Sequence, residues 1–104
     1  MRRGEVWWAQ LDEPAGRRPV VLLSRDEAYA YRELVIVAPL TTRIRGIPAE
    51  LELGQEDGLP RRCVANCDTL VTIPKARLAE PICTLSETKA SALDDALRYA
   101  VGLR

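Results

Sequence analysis

The chain contains no histidine. That excludes a Ser-His-Asp or Cys-His device, a histidine zinc ligand and a ribonuclease mechanism built on two imidazoles. It has no glycine-rich phosphate cradle. Cysteine is scarce: Cys63, Cys67 and Cys83 are odd in number and form no close-spaced framework. They make a poor zinc site and read as small packing residues of a protein kept in a reducing cytoplasm. No signal peptide, lipidation motif or bilayer-length apolar run is recognisable. Net charge is also lacking, since fifteen Lys and Arg balance fifteen Asp and Glu. Bulk charge therefore does not point to a nucleic-acid partner.

What is present is more specific. A length of 104 residues suits one domain, residues 1–104, with a modest core and no room for a large buried cofactor. Neither cofactor nor metal is expected, and the chemistry is expected in a surface groove that a second subunit could complete. Thirteen of the fifteen basic residues are Arg, which suits planar, bidentate phosphate contacts. The basic residues lean toward the first half. Residues 1–47 hold eight basic and six acidic side chains, and residues 48–104 hold seven and nine.

The apolar pattern predicts strands first and a helix last. Gly4 to Leu11 reads as a strand, followed by turn material from Asp12 to Arg18. Pro19 to Ser24 is a continuous apolar run, predicted as a strand buried on both faces, with Pro19 in first position. Asp26 to Glu33 reads as a short helix or loop, and Leu34 to Leu40 as the next strand. Thr41 to Ile47 forms a loop. In Pro48 to Leu53, Ala49, Leu51 and Leu53 alternate with Glu50 and Glu52 in a half-solvated strand. A loop from Gln55 to Arg62 follows. Cys63 to Ala65 and Thr69 to Ile73 read as two short strands or one bent strand, and Ile82 to Leu85 as the last strand. Ser86 is a fair helix N-cap. Ala90, Leu93, Leu97, Ala100 and Val101 form one stripe of that helix, and Asp94, Asp95 and Arg98 fall away from it. Gly102 is a plausible stop. The order argues for an α+β, mainly antiparallel β domain or small barrel.

With imidazole absent, the loops offer Arg, Thr, Ser, Asn and carboxylates. Guanidinium and hydroxyl donors suit a phosphodiester on whose oxygens charge builds in the transition state. RNA brings its own nucleophile, the 2′-hydroxyl, so such chemistry requires no metal.

Three segments carry a resemblance. RRGEVWWAQLDEPAGRRPVVLLSRD, VIVAPLTTRIRGIPAELEL and CVANCDTLVTIPKARL resemble, in order and spacing, the corresponding segments of the MazF/PemK toxins, and the final helix fits as well. The resemblance covers nearly the whole chain. It implies an SH3-like antiparallel barrel of the CcdB/PemK kind with a C-terminal helix. It also implies a homodimer that cuts single-stranded RNA without metal, leaving 2′,3′-cyclic phosphate and 5′-hydroxyl ends, and a MazE-like antitoxin that blocks the RNA groove. By position in the motif, Arg18 before Pro19 and Thr41 at the end of the third strand match the catalytic pair.

Read without the resemblance, Arg18 is a solvated loop charge and Thr41 a strand-end hydroxyl, a role Thr42 could equally fill. Arg43 and Arg45 are candidate phosphate contacts or ordinary loop charges. Asn66 and Asp68 are candidates either to read base edges or to build a turn. Trp7 and Trp8 point to opposite faces of their strand, so one belongs to the core and the other could stack a base or pack at an interface. The first loop, DEPAGRRP, is shorter than in longer relatives of the resembling family. Glu13 is then the nearest acidic candidate to help proton transfer, and Arg17 sits where some members place histidine. A more open groove predicts access to structured RNA, tRNA or rRNA, as well as mRNA. Two alternatives remain: a toxin of the same fold that poisons DNA gyrase, and an inactive RNA- or peptide-binding barrel.

Overall fold

A computed structural model describes residues 1–104. Seven strands and two helices follow one another as β1 (Glu5–Gln10), β2 (Arg17–Leu22), α1 (Ala28–Tyr31), β3 (Leu34–Thr41), β4 (Glu50–Leu53), β5 (Cys63–Asn66), β6 (Val71–Pro74), β7 (Leu78–Thr84) and α2 (Glu87–Val101). Single 3-10 turns occupy Gln55–Asp57, Cys67–Thr69 and Lys75–Arg77. All ladders are antiparallel, and the main order is β4-β5-β3-β2-β1-β7. The sheet is not closed, since β4 and β7 share no ladder. The expected mainly-β, barrel-like fold with a C-terminal helix is therefore present in open form.

The two prolines of the central strands sit where no ladder donor is needed. Strand β2 begins at Arg17, so Pro19 is its third residue and not its first. The Leu11 N–H donates to the Gly16 carbonyl at 2.9 Å, which sets the phase of the hairpin. In that phase Trp8 and Pro19 are a non-hydrogen-bonded pair, and the Pro19 nitrogen faces away from β1. The ladder to β3 starts only at Val20. Pro39 solves the same problem in β3. One edge of β3 pairs first with β6 along Leu34 to Val37, then with β5 along Leu40 and Thr41. Pro39 falls in the gap between the two partners, where a missing N–H leaves nothing unpaired.

Alternation along these strands divides the apolar side chains between two clusters. Val6, Val21, Leu40, Leu51, Leu53 and Leu93 belong to the larger. Ala9, Val20, Leu22, Val35, Val37 and Ile73 build the other. Successive residues of β2 thus enter opposite clusters, which accounts for its uninterrupted apolar run. Trp7 packs against the second cluster.

Helix α2 closes the larger cluster. The Ser86 hydroxyl accepts the Lys89 N–H at 3.2 Å, and Gly102 ends the helix with φ of 76°, a left-handed geometry open to glycine. Leu93 and Ala96 are buried, and Leu97 and Ala100 pack beside them. One expectation for this helix fails. Val101 is half exposed and lies outside the buried part of the stripe, which is Leu93 and Ala96. Asp94 falls away from the stripe as expected, and its carboxylate lies 2.9 Å from the Arg3 guanidinium, which ties the N-terminus to the helix.

The strand before α2 is longer than its apolar signal. Strand β7 starts at Leu78, four residues ahead of Ile82, and pairs with β1 through two register shifts. Ala79, Glu80 and Pro81 are exposed there, as an edge strand allows.

Gly58 is held by conformation and space together. Its φ is +99°, and an added Cβ would lie 3.0 Å from the Cys83 Cβ. Gly58→Ala is expected to destabilise the fold by about 1–3 kcal/mol. A urea titration that finds no loss would show that this loop relaxes freely.

Burial also makes the fold sensitive to alkali. It pushes the Cys67 thiol up to about 11, with the Asp68 charge adding to the effect, and it pushes the Tyr29 hydroxyl up to about 12. Both groups keep their protons more tightly folded than unfolded. Their stabilising effect is complete below the unfolded values and is lost as pH rises through the folded ones. The urea midpoint should hold steady up to about pH 9 and fall between pH 9 and about 11, less so in Cys67→Ala. A midpoint that rises across that window would contradict this assignment.

Candidate active site

Strands β2 and β3 deliver the two residues that matter most. Their register pairs Leu22 with Val37, Val21 with Ala38 and Val20 with Pro39. Continued two residues toward the open end, it sets Arg18 opposite Thr41. By pleat alternation both side chains leave the sheet on the face of Val20 and Pro39. Both residues are half-buried, and both line the same two cavities.

The smaller cavity, about 190 Å³, has no apolar wall beyond Pro39. Its other lining residues are Arg18, Thr41, Arg43, Arg45, Asn66 and Thr69. The larger, about 350 Å³, lies on the other side of the Arg18–Thr41 rim. Trp8, Pro19, Leu40, Leu59, Pro60 and Cys63 give it apolar walls, and Arg17, Thr42 and Arg61 add polar groups. A third hollow, about 410 Å³, shares Arg18, Pro39 and Thr69 and runs past Leu11 and Val71. Arg18 thus stands where three depressions meet.

The electrostatics favour an anion. No carboxylate of the chain pairs with Arg18, Arg43, Arg45 or Arg61. These four guanidinium groups form a local positive field on a chain of zero net charge. The Thr41 hydroxyl accepts the Arg43 N–H at 3.1 Å, so its hydrogen is free to donate elsewhere. The loop bearing the two arginines is pinned by Glu50, whose carboxylate accepts the N–H groups of Arg45 at 3.0 Å and Gly46 at 2.9 Å.

Arg17 is held differently. Its guanidinium lies 2.6 Å from the Glu80 carboxylate and 4.9 Å from the centre of the Trp8 ring. Asn66 borders the smaller cavity, but its Oδ1 accepts the Asp68 N–H at 2.9 Å and caps the 3-10 turn. Its –NH2 group is left as a free donor for a ligand. Asp68 and Glu13 are exposed and line none of the three depressions. Cys63 is kept protonated by burial, reinforced by Asp57 and Cys83, so the thiol in the cavity wall is no nucleophile at neutral pH. No three Cys, Asp or Glu side chains stand close enough together to hold a metal ion.

Leu59, Pro60, Arg61 and Cys63 were absent from the sequence-based candidates. They come from the loop after β4 and from the start of β5, and the adjacent Arg61 and Arg62 are the one sequence signal that marks this loop.

The sequence profile of the PemK-like, MazF-like toxins of type II toxin-antitoxin systems matches residues 2–101. The chain belongs to this family. Among PemK/MazF relatives, the probable endoribonuclease MazF5 of Mycobacterium tuberculosis is 42% identical over 100 residues, spanning 95% of this chain and 91% of the relative. In solved structures, Mycobacterium tuberculosis toxin MazF-mt6 superposes with a TM-score of 0.88 at 33% identity, covering 96% of this chain and 98% of that one. An endoribonuclease in complex with its cognate antitoxin, from a mycobacterial species, gives a TM-score of 0.86 at 26% identity, covering 100% and 97%. The resemblance of the three sequence segments to MazF/PemK toxins is therefore borne out. No helix of the chain is long and apolar enough to cross a membrane.

Proposed function

We propose that this PemK/MazF toxin is a sequence-specific endoribonuclease that cuts single-stranded RNA in mRNA, tRNA or rRNA. The observation that carries this reading is the register of β2 and β3. It sets a guanidinium and a hydroxyl on one face, above a groove of unpaired arginines. The names of its mycobacterial relatives support the same activity.

In this mechanism the ribose 2′-hydroxyl attacks the adjacent phosphorus and loses its proton. The P–O5′ bond breaks, the 5′-oxygen gains a proton, and a 2′,3′-cyclic phosphate and a 5′-hydroxyl result. Arg18 contacts the scissile phosphate and neutralises the charge that builds on its non-bridging oxygens, and Thr41 donates a hydrogen bond to one of them. Thr42, Arg43, Arg45 and the Asn66 –NH2 hold the flanking RNA. Asp68 and Glu13 stand outside the groove, so solvent takes the 2′-hydroxyl proton, and Arg18, a protonated guanidinium, can act only as a donor toward the departing 5′-oxygen. No metal and no organic cofactor enters these steps. The toxin works in the cytoplasm as one domain per subunit of a homodimer, and a MazE-like antitoxin silences it by covering the groove.

The test is cleavage of naked RNA by the purified protein in EDTA, with the product ends identified chemically. Fragments bearing 2′,3′-cyclic phosphate and 5′-hydroxyl are expected. Intact RNA, together with trapped cleaved DNA on a gyrase assay, would replace this reading with the gyrase-poison alternative.

A further inference from the structure

The larger cavity differs from the smaller in kind. The smaller is walled by donors and suits a sugar-phosphate backbone. The larger is walled by an indole, two prolines and two leucines, with Arg18 and Thr41 on its rim. An apolar hollow with a few polar groups, next to the scissile phosphate, suits a nucleobase.

One face of the Trp8 ring is already covered by a flat group, the Arg17 guanidinium at 4.9 Å. Glu80 holds that guanidinium from the neighbouring strand β7, at 2.6 Å. Arg17 and Glu80 are both at least half exposed, with side-chain exposures of 50% and 61%. An exposed ion pair contributes little and an exposed cation–π contact little more, while stacking of a base on an aromatic ring is the stronger contact. The guanidinium is therefore a displaceable occupant.

Resting on the endoribonuclease reading, we infer that Trp8 is a base-stacking residue. A nucleobase flanking the scissile phosphate takes the place of Arg17 on the indole face, and this contact holds the base there with a modest preference for the bases that stack best. The released guanidinium remains beside the RNA strand and can pair with a phosphate in place of Glu80. Trp8 thereby positions the substrate and takes no part in proton transfer.

The experiment uses the two tryptophans of the chain, Trp7 and Trp8. In a Trp7→Phe protein, Trp8 is the sole reporter, and its fluorescence is followed during titration with a random single-stranded RNA pool. Trp8→Ala and Trp8→Phe proteins, checked by circular dichroism, are assayed for cleavage, with 5′-end sequencing of the products. Expected are quenching of Trp8 by RNA, a rise in KM of about 5- to 150-fold in Trp8→Ala, broadened base preference next to the cut, and recovery of most affinity in Trp8→Phe. Should Trp8→Ala fail to fold, the titration decides alone. Unquenched Trp8 with RNA that the wild type cleaves would overturn this inference and leave the nuclease reading standing. Unchanged KM and cut-site preference in a folded Trp8→Ala protein would do the same. RNA left intact by the wild type would overturn both.

Discussion

Arg18→Ala is expected to lower the rate of RNA cleavage by about 10²–10³-fold while leaving the fold intact. The first half of that expectation follows from the position of the guanidinium. It stands opposite Thr41, where three depressions meet, and no carboxylate of the chain neutralises it. The second half follows from the same fact, since a side chain with no intramolecular ion pair leaves no buried partner unpaired when it is removed. Arg18→Lys should recover only part of the activity, because an ammonium restores the charge without the two-pronged donor geometry. Equal circular dichroism spectra and a timed assay on labelled RNA would check both halves. A folded Arg18→Ala protein cutting at the wild-type rate would remove Arg18 from the mechanism.

Leu93→Ala should have the largest effect on stability. Leu93 is fully buried, and it is the largest buried side chain that α2 contributes to the larger cluster, which also holds Leu53 and Val21. Truncation removes apolar contact and leaves a cavity that the surrounding side chains refill only in part. The cost is about 2–5 kcal/mol, a large share of the ~5–15 kcal/mol that holds a typical domain folded. In a chain of this size the melting temperature should fall by about 10–30 °C. The comparison must be made at one protein concentration, because subunit association would add to apparent stability. A loss below about 1 kcal/mol would mean that α2 is not the lid of this core.

The parts of the fold that were legible in the sequence are those with continuous or periodic apolar signals. Strands β2 and β3 announced themselves as apolar runs, β4 by alternation, and α2 by its stripe and its Ser86 cap. Strand β7 was half hidden because it lies at the sheet edge, where Glu80 and Pro81 cost nothing. The start of β2 was hidden for a related reason. Arg17 and Arg18 carry no strand signal, and hairpin pairing with Gln10 and Ala9 alone makes them part of the strand.

The candidate site divides along the same line. Arg18, Thr41, Thr42, Arg43, Arg45 and Asn66 were named from sequence, and the structure gathers them around one rim. Their convergence is a consequence of strand register, which motif order tracks. Leu59, Pro60 and Arg61 were not legible, since their place depends on how a loop turns at Gly58. Glu13 and Asp68 are exposed loop residues for which the sequence offered nearness along the chain, and that nearness does not reach the groove.

A double-mutant cycle on RNA cleavage probes the shared phosphate most directly. Rates are measured for the wild type, Arg18→Ala, Thr41→Ala and the double variant on one RNA under one set of conditions. If guanidinium and hydroxyl act on the same phosphoryl group, the double variant loses far less than the product of the two single losses. Losses that multiply independently, or a Thr41→Ala protein as fast as wild type, would contradict it.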